Sequence, residues 1–289
     1  MVIDIHVHPA FFEEINEDKK QEEIRHEQLN LHKNGTAPLK HFFNKMNCAG
    51  IDYACLLPQD YSSTCNGKPL VSNEEIRKLV DLAPDRFIGF ASIDPHDEKA
   101  AEKLEYAFSV LDLKGLKLHP SKQFFHPDDK IMEAIYDVCQ RYDRPIIFHS
   151  GLSFEAHATT KNCHPLDFER LAETRPELRI CLAHFGWPWC RETAMLMLKY
   201  PNVYTDTAAL YFDSAKEFYV QMLTKDVPLT WIDRSLRHQV MFGTDDPRFE
   251  MIRMSKAIEE LGFRESTIEL TKGQNAIDFL HYEPKGASL

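Results

Sequence analysis

The chain begins MVIDIHVHP (residues 1–9), a run rich in valine and isoleucine that contains two histidines. Valine and isoleucine favour strands, so the run predicts a buried β-strand, and Pro9 ends it because proline cannot donate to a ladder. Side chains alternate along a strand, which places His6 and His8 on the same face, one pleat apart. Two neutral imidazoles so arranged can chelate a divalent metal, although such a pair also occurs at solvent-exposed strand ends.

Seven further apolar runs follow, and amphipathic stretches with helical spacing lie between them. The predicted strands cover 2–8, 51–57, 87–93, 114–119, 145–149, 179–184, 202–207 and 239–245. The predicted helices cover 73–83, 97–111, 128–142, 166–175 and 190–199. Strands that alternate with helices pair in parallel, and eight such units predict an α/β fold, the closed (β/α)8 TIM barrel. An open doubly wound sheet is the alternative, but no glycine-rich phosphate loop follows the first strand.

A single domain is predicted for residues 1–289, because no linker, repeat or low-complexity segment interrupts this alternation. The connection at about 10–49 is longer than a barrel needs, and it combines a charged stretch at 12–23 with an amphipathic helix. A solvated helix is the plainer interpretation of the charged stretch. The other interpretation is that this insert covers the mouth of the active site.

The composition restricts the kind of partner. The 289 residues are 43% hydrophobic and carry a formal net charge of −11. An acidic balance disfavours nucleic acid and anionic membranes as partners, so a small-molecule substrate is expected. The N-terminus lacks a signal-peptide pattern, and no apolar run reaches membrane-spanning length. The seven cysteines include no C-x-x-C pair, which favours a reducing, cytoplasmic location.

Residues that bind metals or exchange protons recur at the carboxyl ends of the predicted strands. They are His6 with His8, Lys117 with His119, His149, His184 and Asp245. Any one of them alone would more often be a hydrogen-bonded strand-end residue. In a barrel, however, every parallel strand delivers its carboxyl end to the same face, where active sites are built. Their shared position therefore predicts one common site.

The sequence resembles the amidohydrolase superfamily, in particular the branch that contains aminocarboxymuconate-semialdehyde decarboxylase and related metal-dependent hydrolases. The resemblance covers nearly the whole chain and is carried by DIHVH at 4–8, GLKLHP at 115–120, FHSG at 148–151, LAHFG at 182–186 and FGTDDP at 242–247. The ligand set that it implies for one divalent metal, zinc or else manganese, consists of His6, His8, His149 and Asp245. His184 is implied as the catalytic acid–base residue, and Asp245 as both ligand and proton acceptor.

Four further residues are expected to bind the substrate. They are Lys117, His119, Trp187 and Arg248. In binuclear relatives a lysine at the position of Lys117 is carboxylated and bridges two metals; the resemblance to the mononuclear branch favours a free amine, and a salt-bridged lysine is the plain alternative. Trp187 stands where many relatives have glycine, which would narrow the pocket or cover the rim. Arg248 would clamp a substrate carboxylate or be an ordinary helix residue.

The residues fit two reactions. A divalent metal lowers the pKa of its bound water to about 7, which suits hydrolysis of a small carbonyl, lactone or carboxylate substrate. Non-oxidative decarboxylation of an unsaturated or aromatic acid is the alternative, since an acid could protonate the carbon before carbon dioxide leaves. A non-catalytic metal-dependent binding protein is a further alternative. The resemblance also raises the expectation of a homodimer.

Overall fold

Eight parallel strands form the centre of the computed structural model, which describes residues 1–64, 67–208, 212 and 214–284. Their bounds are β1 Ile3–Val7, β2 Tyr53–Leu56, β3 Phe87–Gly89, β4 Leu116–Leu118, β5 Ile146–Phe148, β6 Ile180–Leu182, β7 Val203–Asp206 and β8 Val240–Met241. The predicted strands are therefore confirmed, each shorter than its apolar run. They pair in sequence order as two sheets, β1 to β3 and β4 to β8.

Backbone hydrogen bonds join the two sheets at both seams. Between β3 and β4, the Ala91 N–H donates to the Gly115 carbonyl at 2.7 Å. Between β8 and β1, the Ile5 N–H donates to the Phe242 carbonyl at 2.9 Å. The strand order thus returns on itself, and the predicted (β/α)8 architecture is confirmed. Strand β1 is buried along its whole length, as expected when one face meets the barrel interior and the other meets helices.

The helices surround this barrel. Their bounds are α1 Lys19–Leu29, α2 Leu39–Ala49, α3 Asn73–Leu82, α4 Ala100–Ser109, α5 Glu133–Arg141, α6 Glu169–Thr174, α7 Cys190–Lys199, α8 Ala215–Val220, α9 Met251–Glu259, α10 Glu265–Glu269 and α11 Asn275–Leu280. The five predicted helices are present as α3 to α7. Ser72 and Glu75 begin α3 with a reciprocal capping box, which explains why the sequence places that boundary well. None of the helices in the described ranges has the length and apolar character that crossing a bilayer requires.

The long connection after β1 contains α1 and α2 and is fixed to the barrel by a buried arginine. Arg25 donates to the Leu70 carbonyl at 2.8 Å and to the Ile15 carbonyl at 2.9 Å, and it pairs with Glu75 at 2.7 Å. A buried guanidinium requires such partners, because an unpaired charge would be costly to desolvate. Helix α1 therefore exposes one face to solvent while its arginine holds it against the barrel.

Candidate active site

Three of the predicted metal ligands converge at the carboxyl ends of β1 and β8. His6 Nε2 and His8 Nε2 lie 3.2 Å apart. Asp245 Oδ1 lies 3.4 Å from His8 Nε2 and 3.8 Å from His6 Nε2. These three side chains are buried or nearly so, and their donor atoms lie within 4.8 Å of one another.

The other ring nitrogen of each histidine is already engaged. His6 Nδ1 donates to Asp206 Oδ2 at 2.9 Å, and His8 Nδ1 donates to the Leu57 carbonyl at 3.0 Å. Both rings therefore carry their proton on Nδ1 and turn the lone pair of Nε2 toward the shared centre. Burial holds the pKa of His6 and of His8 well below the usual value, so both imidazoles are neutral near neutral pH.

His184 lies directly after β6 and contacts the third predicted histidine ligand. Its Nδ1 faces the Ala208 carbonyl, and its Nε2 lies 3.1 Å from His149 Nδ1. Burial is the main reason that the pKa of His184 falls to about 3. The backbone at His184 is left-handed, with φ of 61°. A non-glycine residue held in this region costs about 1–3 kcal/mol, which its buried hydrogen bonds must offset.

His149 contacts His184 and is not part of the donor group formed by His6, His8 and Asp245. The ring centroids of His6 and His184 are 4.9 Å apart, and those of His184 and His149 are 4.8 Å apart. His149 Nε2 is buried without a hydrogen-bond partner in the described part of the chain. The structure therefore brings three of the predicted ligands into one group, and the fourth, His149, contacts His184 beside that group.

A second group of potential ligands does not converge in the same way. Donor atoms of His119, His149 and Cys163 lie within 4.8 Å of one another. The rings of His119 and His149, however, stack with centroids 3.9 Å apart and planes 12° apart. Lone pairs of an imidazole lie in the ring plane, so two stacked rings direct theirs side by side and cannot both point at one ion. The first cluster is therefore the better metal site.

The carboxylate next to Asp245 points elsewhere. Asp246 Oδ2 pairs with Lys45 Nζ of α2 at 2.5 Å. Asp245 Oδ2 instead lies 3.5 Å from Arg248 Nε, and Arg248 also donates to the Leu29 carbonyl at 2.8 Å. Burial raises the pKa of Asp245 to about 7. The positive charges of Arg248 and Lys117 oppose this effect. Of the two neighbouring acids, Asp245 is thus the one that faces the histidines.

Of the four residues expected to bind the substrate, Lys117, His119 and Arg248 line one cavity, and Trp187 does not. The Lys117 ammonium is buried and lies 3.5 Å from His6 Nε2, at the base of the cluster. Burial lowers the pKa of Lys117, and the nearby carboxylates oppose that effect. His119 Nε2 lies 3.3 Å from Ser153 Oγ. Trp187 is not among the residues that line the cavity, and its ring instead packs against Phe212 and Phe218.

The cavity above the cluster is small and polar. Its lining residues are His8, Gln59, Lys117, His119, His149, Ser153, Phe154, Glu155, His184, Asp245 and Arg248. The space that it leaves for a water molecule is about 20 Å³, close to what one water molecule needs. A larger substrate needs more room than these side chains leave in this conformation.

Two acidic residues of this site were not predicted. Asp206 ends β7, and besides His6 it accepts the backbone N–H of His184 at 2.8 Å. Asp206 stands at the end of an apolar run, so the strand-end position that marks the histidines marks this acid equally. Glu155 lies in the loop after β5, and no periodicity or motif in the sequence marks it.

Comparison with known proteins identifies the family. The amidohydrolase family model matches residues 3–281, so the chain belongs to this family. No curated protein sequence matches the chain. Among solved structures, an uncharacterised TIM-barrel protein from Bordetella bronchiseptica shares 20% identity, with a TM-score of 0.77 and coverage of 97% of this chain and 98% of that one.

Two solved structures with a named activity are also similar. The 4-oxalomesaconate hydratase of Rhodopseudomonas palustris is 18% identical, with a TM-score of 0.68 and coverage of 97% and 96% of the two chains. The 5-carboxyvanillate decarboxylase of Novosphingobium aromaticivorans, solved with bound manganese, is 16% identical, with a TM-score of 0.65 and coverage of 97% of each chain. At these identities the similarity establishes the shared fold, and the reactions named differ from each other.

Proposed function

We propose that this chain is a metal-dependent hydrolase that acts on a small carbonyl, lactone or carboxylate substrate. The observation that carries the proposal is the cluster of His6, His8 and Asp245, with both histidine rings oriented by acceptors on Nδ1. Two neutral nitrogens that face each other at 3.2 Å with no proton between them repel, unless a cation lies between them. A carboxylate beside them supplies negative charge.

These donors fit a divalent metal. Two imidazole nitrogens and one carboxylate oxygen are the ligands that zinc accepts, and manganese is the alternative. Asp206 orients His6 in the manner of the carboxylate partners that accompany metal-bound histidines. We assign His149 as the fourth ligand because its Nε2 is buried and without a partner among the described residues, while its Nδ1 is engaged at 3.1 Å by Nε2 of His184. When bound, the metal would polarise a substrate oxygen and increase the acidity of water.

The chain's own residues would move the proton. His184 is the proposed acid–base residue: its Nδ1 proton is directed at the Ala208 carbonyl, which leaves Nε2 as the atom that exchanges a proton with substrate or water. Asp245 would accept a proton on the other side of the site, and Arg248 would hold that carboxylate in place.

Lys117 and His119 are proposed to orient the substrate. Lys117 is assigned as a free amine, whose ammonium at 3.5 Å from His6 Nε2 adds positive charge beneath the site. His119 would offer a ring nitrogen on the cavity wall, and Arg248 a guanidinium edge. Trp187 has a more remote role in this proposal, because its ring contacts Phe212 and Phe218 and so supports the rim.

The insert at 10–49 is proposed to cover the mouth of the site. The end of α1 reaches over the barrel, where the Leu29 carbonyl accepts from Arg248. Asn34 Nδ2 donates to the Pro247 carbonyl at 3.2 Å. Both contacts join the insert to the residues that follow Asp245. This arrangement would keep bulk water away from a small substrate and agrees with a cavity of about 20 Å³.

A non-oxidative decarboxylase is the second candidate. The specific observation in its favour is the pair of cations next to the cluster, Lys117 at its base and Arg248 at its edge. Together they could hold a carboxylate while His184 protonates the adjacent carbon, after which the carbon–carbon bond breaks and carbon dioxide leaves.

One screen separates the two candidates. Zinc-loaded and manganese-loaded protein is incubated with lactones, amides and aromatic acids, while acid release and carbon dioxide are both recorded. A hydrolase releases acid and no carbon dioxide, and a decarboxylase does the reverse. The matched controls are metal-stripped protein and His184→Asn. Equal turnover with and without metal would contradict the proposal.

A further inference from the structure

We propose that Glu155 is a specificity-determining residue that accepts a hydrogen bond from an N–H or O–H group of the substrate. This inference deepens the proposed function, on which it rests, by naming a feature of the substrate. Glu155 lines the same cavity as His184 and Asp245. Its side chain is 8% exposed, so the carboxylate is held inside the site and does not extend into solvent.

Two neutral donors fix this carboxylate. Gln59 Nε2 donates to Glu155 Oε1 at 2.6 Å, and Tyr61 Oη donates to Glu155 Oε2 at 3.0 Å. Both donors follow β2, so the barrel itself sets the position of the acid. Burial and the adjacent Glu155 charge raise the pKa of Tyr61 well above the usual value, which keeps its hydroxyl protonated and available as a donor.

The Glu155 carboxylate can accept further hydrogen bonds. An ionised carboxyl group offers about four acceptor positions, and the two donors occupy about half of them. Within the described ranges, its neighbour at ion-pair distance is His119 Nε2, at 4.0 Å, and burial lowers the pKa of that ring so that it is neutral. No lysine or arginine among the described residues lies at ion-pair distance from Glu155, and the charge of Lys117 acts on it only from further away. A buried carboxylate in this position gains from a further donor, and the open side of Glu155 is the cavity.

The loop that carries Glu155 is held in place by the insert. Ala156 N–H donates to the Gln28 carbonyl at 3.1 Å, and Asn30 Nδ2 donates to the Phe154 carbonyl at 3.1 Å. Lys122 Nζ ties the two segments together by donating to Gln28 Oε1 at 2.8 Å and to the Ala156 carbonyl at 2.7 Å. These bonds lie on both sides of Glu155 in sequence. They hold Glu155 in a fixed position in the wall of the site.

The position of Glu155 selects one class of substrate. Glu155 lies beside the stacked rings of His119 and His149 and, among the described residues, is not part of the donor group of His6, His8 and Asp245, so it meets a part of the substrate other than the reacting carbon. A hydroxyl, amine or amide N–H there would satisfy the carboxylate. A second carboxylate there would meet a like charge in a poorly solvated site, which is unfavourable. The substrate is thus an acyl or carboxyl compound with a hydrogen-bond donor at its other end.

Binding of three unreactive probes tests this inference. Benzoate, 3-hydroxybenzoate and isophthalate share one carboxylate and differ in the group at the meta position. Their Kd values are measured by calorimetry on zinc-loaded wild type, Glu155→Gln and Glu155→Leu, with the exposed Glu133→Gln as the matched control. A hydrogen bond to a charged group predicts that wild type binds 3-hydroxybenzoate about 10-fold or more tightly than benzoate. Glu155→Leu should abolish this preference, and Glu155→Gln should improve isophthalate binding while Glu133→Gln changes neither.

The outcomes separate this inference from the proposed function. A wild type that binds none of the probes, or binds benzoate as tightly as 3-hydroxybenzoate, overturns the role of Glu155. So does a preference that survives in both Glu155 variants. Repeating the wild-type measurement on metal-stripped protein separates the two, because a hydroxyl preference that persists without metal supports Glu155 whatever the turnover screen shows about the metal-dependent function.

Discussion

Asp206 Oδ2 accepts the Nδ1 proton of His6 at 2.9 Å and thereby fixes the direction of the other ring nitrogen. Its second oxygen accepts the backbone N–H of His184 at 2.8 Å and of Ala208 at 3.1 Å. One buried carboxylate at the end of β7 thus positions a proposed ligand from β1 and the proposed acid–base residue from β6. The functional side chains carried by β1 and by the segment after β6 both depend on this carboxylate for their geometry.

Asp206→Asn should weaken metal binding while the fold persists. The amide keeps the size of the side chain but removes the charge that orients and polarises His6, and loss of such a partner typically reduces metal affinity about 10–100-fold. Competition with a chelator gives the Kd for zinc. The exposed Asp278→Asn, whose carboxylate contacts only Gln274 among the contacts described, is the matched control. Unchanged zinc affinity in Asp206→Asn would show that Asp206 only accepts backbone N–H groups and does not influence the metal.

His184→Asn should retain the metal and lose turnover. A general acid–base residue contributes about 10²–10⁴-fold to the rate, so kcat should fall by that factor on any substrate found in the screen. Metal content is measured alongside, with His149→Ala as the comparison. If His184→Asn loses metal as completely as His149→Ala, then His184 is a ligand and the two roles must be exchanged.

Lys117→Ala should keep a single metal and bind acidic substrates less well. A free ammonium attracts a substrate carboxylate, so its removal should raise KM for acidic substrates about 10-fold or more. Added bicarbonate should leave the activity of the wild type unchanged, since no carbamate has to form. A second metal that disappears in Lys117→Ala, or in preparations free of bicarbonate, would instead assign a binuclear centre.

Gly151→Ala should destabilise the loop after β5. Gly151 has φ of 81°, and a Cβ atom there would lie 2.1 Å from the Trp187 carbonyl oxygen, which is backbone and cannot rotate away. We expect the free energy of unfolding to fall by about 1–3 kcal/mol. Gly35→Ala is the control, because a Cβ at Gly35 meets nothing within 4 Å. Equal denaturation midpoints for both variants would contradict this reading of the loop.

The sequence predicts the strands well because both faces of a barrel strand are buried, which leaves continuous apolar runs. It predicts the end of the last strand poorly. The run 239–245 suggests one strand, whereas β8 covers only Val240–Met241. The residues after it bend, and Asp245 has φ of 59°, which directs its carboxylate back toward β1. Such bends depend on contacts across the barrel, for example the Thr244 hydroxyl donating to Asp4 at 2.5 Å.

The candidate site was only partly visible in the sequence. Strand-end position marks His6, His8 and Asp245, since strand ends share one face of the barrel. The same criterion would have marked Asp206. Glu155 could not be found in this way, because its position depends on hydrogen bonds between its loop and the distant residues 28–30, which no local pattern encodes.

The metal content of a histidine double variant tests the central claim most directly. Purified wild type should contain about one equivalent of divalent metal per chain by elemental analysis, as a mononuclear site requires. His6→Ala combined with His8→Ala should contain none, while the exposed His32→Ala keeps the wild-type amount. Circular dichroism confirms that each variant is folded. Wild-type metal content in the His6→Ala, His8→Ala protein would contradict the assignment of the site.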